Sequence, residues 1–185
     1  MKLNLGCGFN KQPGFLNVDV APECHPDQVV DLEQFPWPFE DNCASVVLLA
    51  HVLEHLGQSP AVYLRIIKEL YRICAPGATV HIRVPHPRHD LYLFDPTHVR
   101  PITPEGLEMF SQKKNRHWQR IGASNTPLGI YHHVDFDVMQ VNYQLDPIWQ
   151  RYCNKQGWSQ REAQFHGLTH VNAIAEIAID LKAVK

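Results

Sequence analysis

Four groups of residues have types and spacings that suit chemistry. Gly6-Cys7-Gly8 follows the alternating apolar residues Leu3 and Leu5, so a buried strand runs into a tight turn where backbone can approach a ligand. Asp19, within Asn17-Val18-Asp19-Val20, stands at the tip of a second strand, where a carboxylate suits the hydroxyls of a ribose. His86, Asp95 and His98 fall just beyond a later strand and are of the types that move protons near neutral pH. His51-Val52-Leu53-Glu54-His55 matches the inverted zincin pattern His-x-x-Glu-His.

The spacing around the glycines narrows the ligand. A dinucleotide site needs a third glycine opening a helix that holds a pyrophosphate, but Lys11 occupies that position. Residues 7–14, which include Pro13, are also too few for a normal helix. A loop of this kind presents backbone N–H groups to a carboxylate, favouring a ligand with an amino-acid end and a nucleoside end, such as S-adenosylmethionine, over NAD. The zincin pattern needs a helix showing both histidines on one face, and Gly57 and Pro60 interrupt any helix there. A zinc hydrolase using His51, Glu54 and His55 is therefore a secondary reading, and no metal centre is expected.

The elements that must position these groups follow from hydrophobic periodicity. Residues 15–20 and 29–32 read as strands two and three, and the continuous apolar run Ala44–Ala50 as a central strand four. Parallel neighbours usually need a crossover of a dozen or more residues, and the links here are shorter. Eight extended residues nevertheless reach about 26 Å, against about 17 Å for a five-residue strand, so crossovers without helices suffice. Phe35-Pro36-Trp37-Pro38-Phe39 is a loop whose aromatics anchor it on the core or flank an adenine. Ser59-Pro60 opens a helix carrying Tyr63, Ile66, Ile67, Leu70, Ile73 and Cys74 at helical spacing, which Pro76-Gly77 ends before strand five at 78–84.

In the second half, Thr103-Pro104 opens a helix to about Gln112. Lys113, Lys114, Arg116, His117 and Arg120 then form a basic run around Trp118, a solvated face or a contact for an anionic acceptor. Alternation shifts between Val138 and Val141, predicting a strand bulged near Met139-Gln140. Residues 173–181 alternate as its antiparallel partner, and residues 147–157 form a short helix with Trp149 and Tyr152 inward.

The 185 residues, 44% hydrophobic, suit one domain over 1–185. A net charge of -2 provides no general attraction for nucleic acid or anionic membrane. Five cysteines without a Cys-x-x-Cys pair suggest neither a disulfide framework nor a thiolate zinc site. With no leader-like opening and no membrane-length apolar segment, the expectation is a soluble, unprocessed, cytoplasmic chain.

The order of motifs resembles the class I S-adenosylmethionine-dependent methyltransferases of the small bacterial type. The resemblance lies in Leu3-Asn4-Leu5-Gly6-Cys7-Gly8, Asn17-Val18-Asp19, Asp31-Leu32, Phe35-Pro36-Trp37-Pro38-Phe39, Ala50-His51-Val52-Leu53-Glu54-His55-Leu56 and Glu69-Leu70-Tyr71-Arg72-Ile73-Cys74-Ala75-Pro76-Gly77. It implies an α/β fold with a doubly wound, mostly parallel, Rossmann-like sheet. The chain departs from that pattern in that the helices after strands one and two are reduced and no helix precedes strand one, and the alternation adds an antiparallel C-terminal strand pair. The resemblance further implies backbone of Gly6, Cys7 and Gly8 at the methionine end of S-adenosylmethionine, Asp19 at the ribose, Asp31 and Leu32 at the adenine, and Ala50 and His51 closing the pocket.

Methyl transfer from a sulfonium mainly requires an aligned nucleophile and exclusion of water, with a base for a hydroxyl acceptor. His86, Asp95 and His98 are the base candidates, an Asp95–His98 contact orienting the imidazole. The favoured acceptor is a small metabolite or a sugar hydroxyl of a glycan, with no nucleic-acid or membrane partner. A non-catalytic S-adenosylmethionine-binding module is the alternative reading. Reduced crossovers would leave one sheet face poorly covered, and an exposed apolar face would be unusually large for a soluble monomer, so burial by the C-terminal segment or by a second copy in a homodimer is expected.

Overall fold

Leu3 and Leu5 turn to one side of the first strand and Asn4 to the other, and this alternation, continued by later strands, sets the architecture. In the computed structural model, covering residues 1–185, the strands are β1 (Lys2–Leu5), β2 (Leu16–Asp19), β3 (Gln28–Val29), β4 (Ala44–Ala50), β5 (Cys74–Pro85), β6 (Phe136–Leu145) and β7 (Ile174–Ala183). They form one sheet in the order β3-β2-β1-β4-β5-β7-β6. Only β7 runs against its neighbours; the other pairings are parallel, as a doubly wound sheet requires. The expected bulge is present, because the β6–β7 register shifts between Val138 and Gln140.

The apolar face packs against α1 (Pro60–Ile73). Ser59 caps this helix by accepting the Val62 N–H at 3.3 Å, and Pro60 fills the first helical position. Tyr63, Ile66, Ile67, Leu70 and Ile73 are buried in one cluster with Leu3, Leu5, Val47, Leu49, Val80, Ile82 and Val84. The stop lies at Ile73, and β5 begins at once with Cys74, ahead of Pro76-Gly77, because Cys74 already pairs with Ala44.

The link from β1 to β2 contains no helix, and side chains secure it instead. Asn17, 5% exposed, accepts the Gln12 N–H at 2.7 Å and the Asn4 amide at 3.0 Å, and donates to Asp27 Oδ2 at 2.9 Å. Asp27 Oδ2 also accepts the Asn17 N–H at 2.8 Å. The network satisfies backbone groups that a crossover helix would satisfy internally. The third strand is shorter than the sequence suggests: Asp31 turns back to accept the Glu33 N–H, and Leu32 enters the core beneath the Trp37 indole, which donates to its carbonyl at 3.0 Å.

The opposite sheet face is open and mixed in character, because polar and charged groups stand among Val46, Leu48, Ala50 and Ala178. Asn4, His81, Arg83, Asn142, Glu176, Asp180 and Lys182 lie there, with His81 paired to Asp180 at 2.7 Å. The His81 and Arg83 side chains remain 43% and 49% exposed. Water satisfies the polar groups of such a face, which lessens the need to bury it under the C-terminal segment or a second copy.

Shorter helices complete the second half: α2 (Asp90–Leu93), α3 (Pro104–Glu108), α4 (Gln112–Arg120), α5 (Leu128–His132), α6 (Pro147–Lys155) and α7 (Gln160–Gly167). The helix opened by Pro104 stops at Glu108, and Ser111 caps a new one, so the basic run is one face of α4. Leu145, Cys153, Ala163 and Ile174 form a small second cluster flanked by Trp149 and Trp158, while Tyr152 stays exposed. All five cysteines are unpaired, and no helix is long and apolar enough to cross a membrane.

Candidate active site

The strand order reverses between β1 and β4, with β2 and β3 on one side and β5 on the other, and ligands of such sheets bind beyond the carboxyl ends at that point. Gly6 leaves β1 with φ +67°, and a Cβ there would lie 2.4 Å from Val52 Cγ2, so a side chain is barred on both counts. Gly8 has φ +49°, but a Cβ there would meet no atom within 4 Å, which marks open space beside the loop. Asp19 fixes the bend by accepting the Gly8 N–H at 2.7 Å through Oδ2 and the Ala21 N–H at 2.9 Å through Oδ1.

A cleft of about 550 Å³ opens here, lined by Gly6, Cys7, Gly8, Ala50, His51 and Arg83 together with polar residues of the 4–12 segment. Thus five of the expected cofactor contacts come together, with Asp19 bonded to the loop from behind. Asp31 and Leu32 do not join them: the first is exposed in a turn and the second is core, for the reasons given above.

His51 turns the chain out of β4 in the left-handed region (φ +56°), its N–H held by the Arg83 carbonyl at 2.8 Å. Its imidazole lies between two acids, 3.5 Å from Glu54 Oε1 and 2.8 Å from Glu176 Oε2. Glu54 and then Glu176 raise its pKa above the ordinary histidine value despite opposing desolvation. Glu176 also accepts from Arg83 Nε and Nη2 at 3.0 and 2.8 Å, so one carboxylate clamps both side chains.

His51 and Arg83 also line a second cleft of about 400 Å³, where they are joined by Glu54, His55, Asp95 and His98. The two clefts therefore meet at His51 and Arg83. His98 Nδ1 faces the Tyr92 carbonyl at 2.7 Å, so it carries the proton and its Nε2 has a free lone pair. Asp95 Oδ2 stands 3.9 Å from that Nε2, while Asp95 Oδ1 accepts the Thr97 hydroxyl at 2.6 Å and the Thr97 N–H. These Thr97 bonds hold the Asp95 carboxyl below its usual pKa.

His86 is the correction among the expected bases. Alternation along β5 puts Arg83 and Pro85 toward the clefts, and His86 with Val84 on the helix-covered side. It is 7% exposed there, its Nδ1 accepts the Arg88 N–H at 3.2 Å, and burial pushes its pKa down. The zincin arrangement is likewise not formed: Leu53–His55 is a single 3-10 turn, and His51 is engaged by Glu176. Arg83 and Glu176, which join the two clefts, were overlooked in the sequence, although charges inside otherwise apolar alternating strands were a visible signal. The basic face of α4 shares no lining residue with either cleft.

Doubly wound topology, a glycine bend at the switch point and an acid on the next strand define the class I methyltransferase fold. Residues 10–82 match the family described as a methyltransferase domain. An S-adenosylmethionine-dependent methyltransferase from Archaeoglobus fulgidus superposes with a TM-score of 0.64 at 17% identity, over 98% of this chain and 85% of that one. A second from Methanosarcina mazei gives 0.57 at 14% identity, over 99% and 92%. The 1,6-didemethyltoxoflavin-N1-methyltransferase from Burkholderia thailandensis, with 1,6-didemethyltoxoflavin and S-adenosylhomocysteine bound, gives 0.53 at 10% identity, over 100% and 71%. No curated protein sequence matches. The superpositions show that the chain has the fold of S-adenosylmethionine-dependent methyltransferases, and its N-terminal part, residues 10–82, matches the methyltransferase domain family.

Proposed function

We propose that the cleft at the β1–β4 switch point holds S-adenosylmethionine and that the adjoining polar cleft receives a small acceptor, methylated on a hydroxyl oxygen. The observation that carries this reading is the meeting of the two clefts at His51 and Arg83. The open side of Gly8 fits close approach of a ligand, and Asp19 keeps lone pairs beyond its two loop bonds for a ribose diol. Bound there, the sulfonium supplies an electrophilic methyl group.

The chain's own task is alignment and proton handling. The Arg83–Glu176–His51 clamp sets the border between the clefts. His98 Nε2 accepts the acceptor's hydroxyl proton, and Asp95 Oδ2 lies on the side where it stabilises the resulting imidazolium. A lining of His51, His55, Arg83, Asp95, Gln144 and Glu176 favours a polar metabolite or sugar over a lipid.

Calorimetry with S-adenosylhomocysteine, followed by transfer of a labelled methyl group to a panel of hydroxylated metabolites and sugars, tests the proposal. Binding with transfer to one hydroxyl class is expected. Binding without transfer to any class favours the non-catalytic alternative, and absence of binding overturns both.

A further inference from the structure

Glu54 is the least explained side chain in the protein. It lies in the turn after β4, is fully buried, and both carboxylate oxygens lack a hydrogen-bond partner. Its nearest cation is His51 Nδ1 at 3.5 Å, which is also engaged by Glu176 on its other ring nitrogen. An acceptor-only group sealed from water without hydrogen bonds is costly, and a bound cation would satisfy it.

Two imidazoles converge on the same point. One ligand atom each from Glu54, His55 and His98 lies within 4.8 Å of the others. Each ring has its opposite nitrogen already committed. His98 gives its Nδ1–H to the Tyr92 carbonyl. Thr97 spends its hydroxyl proton on Asp95, so at 2.8 Å it must accept from His55 Nδ1–H. Both Nε2 lone pairs are left uncommitted on two residues that line the cleft, which is how histidines are fixed when they bind a metal.

We propose that Glu54, His55 and His98 bind one divalent first-row transition-metal ion, of the kind that zinc represents, on the acceptor side of the methyl-transfer site. Two imidazoles and one carboxylate suit such an ion and leave coordination positions toward the cleft. The set is not the His-x-x-Glu-His triad, because His51 is replaced by a histidine from a distant loop. The functional part of the inference rests on the acceptor reading above: an oxygen-bearing acceptor would bind at the open positions, and in the loaded protein the His98 lone pair would serve the ion rather than the proton. Metal binding itself requires no turnover.

The test uses full-length protein freed of metal by a chelator and titrated with Co²⁺ under visible spectroscopy, then with Zn²⁺ by calorimetry. One equivalent of Co²⁺ with d–d absorption, displaced by Zn²⁺, is expected. Glu54→Gln, His55→Ala and His98→Ala should each weaken binding at least tenfold, and Thr97→Val by roughly tenfold through loss of ring positioning. His81→Ala, on the open sheet face, should change nothing. If the buried Glu54→Gln variant fails to fold, the two histidine variants decide. Lack of stoichiometric binding by the parent chain, or equal binding by those variants, places any ion elsewhere on a chain with twelve histidines and overturns the proposal. S-adenosylhomocysteine affinity measured on the same samples should be retained in His98→Ala, which separates failure of the metal site from failure of the cofactor cleft.

Discussion

At the level of single residues, the cleft at the switch point depends on what two glycines omit. Gly6 cannot carry a side chain because Val52 occupies the space, whereas Gly8 has room and only the backbone angle against it. Gly8→Val should therefore fold with a cost of about 1–2 kcal/mol while its side chain fills the cradle. S-adenosylhomocysteine affinity in calorimetry is expected to fall more than tenfold, and unchanged affinity would place the ligand elsewhere. Glycine spacing made this bend legible in the sequence, and the acid at Asp19 was equally plain. The adenine contacts were not legible, because a short apolar segment such as Val29-Val30-Asp31-Leu32 reads the same whether it lines a cleft or enters a core. His86 was misplaced for a simpler reason: counting in twos from Ile82 and Val84 already puts it on the covered face.

Among the elements, α1 carries the packing and also anchors the aromatic loop. Arg72 reaches the Phe39 carbonyl at 2.7 Å and the Trp37 carbonyl at 3.1 Å, while Glu69 accepts the Trp37 N–H at 2.7 Å and bonds from Arg72 at 2.9 and 2.8 Å. Burial alone would raise the Glu69 carboxyl, but the bonds from Arg72 and Trp37 outweigh it and hold the pKa below the ordinary glutamate value. A lowered folded-state pKa means stability that is present above the unfolded value and lost as pH falls through the folded one. Glu69→Gln should thus be about 1–3 kcal/mol less stable than the parent at neutral pH. In denaturant titrations the gap should close below about pH 4. Leu70→Ala, at a site 1% exposed, should lose about 2–5 kcal/mol whatever the pH. Its melting temperature should fall about 2–4 °C for each kcal/mol.

Long periodic segments such as α1 and β4 could be read directly, with Ser59-Pro60 marking the helix start. The short helices of the second half were harder to read, since nine residues or fewer give too little periodicity to stand out. Even so, Ser159 and Glu162 form a capping box at the start of α7, a signal present in the sequence and passed over.

For the whole molecule, the decisive feature is that the sheet has a hydrophobic core on one side only. The strands supply it and α1 closes it, so no independent second core sits across the sheet to melt on its own; the small cluster around Cys153 and Ala163 lies near one strand end. Calorimetric melting is expected as one transition, with measured and van't Hoff enthalpies in agreement. Charged and polar groups interrupt the apolar residues of the outer face, so it offers no continuous apolar surface for self-association. Sedimentation at micromolar concentration should show a monomer, and a dimer would point to a surface other than that face. The sequence revealed that a covering layer was missing, but the conclusion that apolar surface lay beneath ignored Asn4, His81, Arg83, Glu176, Asp180 and Lys182 alternating through the strands.

The short loop between β1 and β2 has one more effect. Where a helix would form a wall along the flank of the switch-point cleft, this chain has only an amide-pinned strap over Asn4 and Asn17. On the proposed function, with Asn10 and Gln12 lining this cleft, spent donor would leave past them without the acceptor side opening first. Exchange of used for fresh donor would then not depend on prior departure of the methylated product.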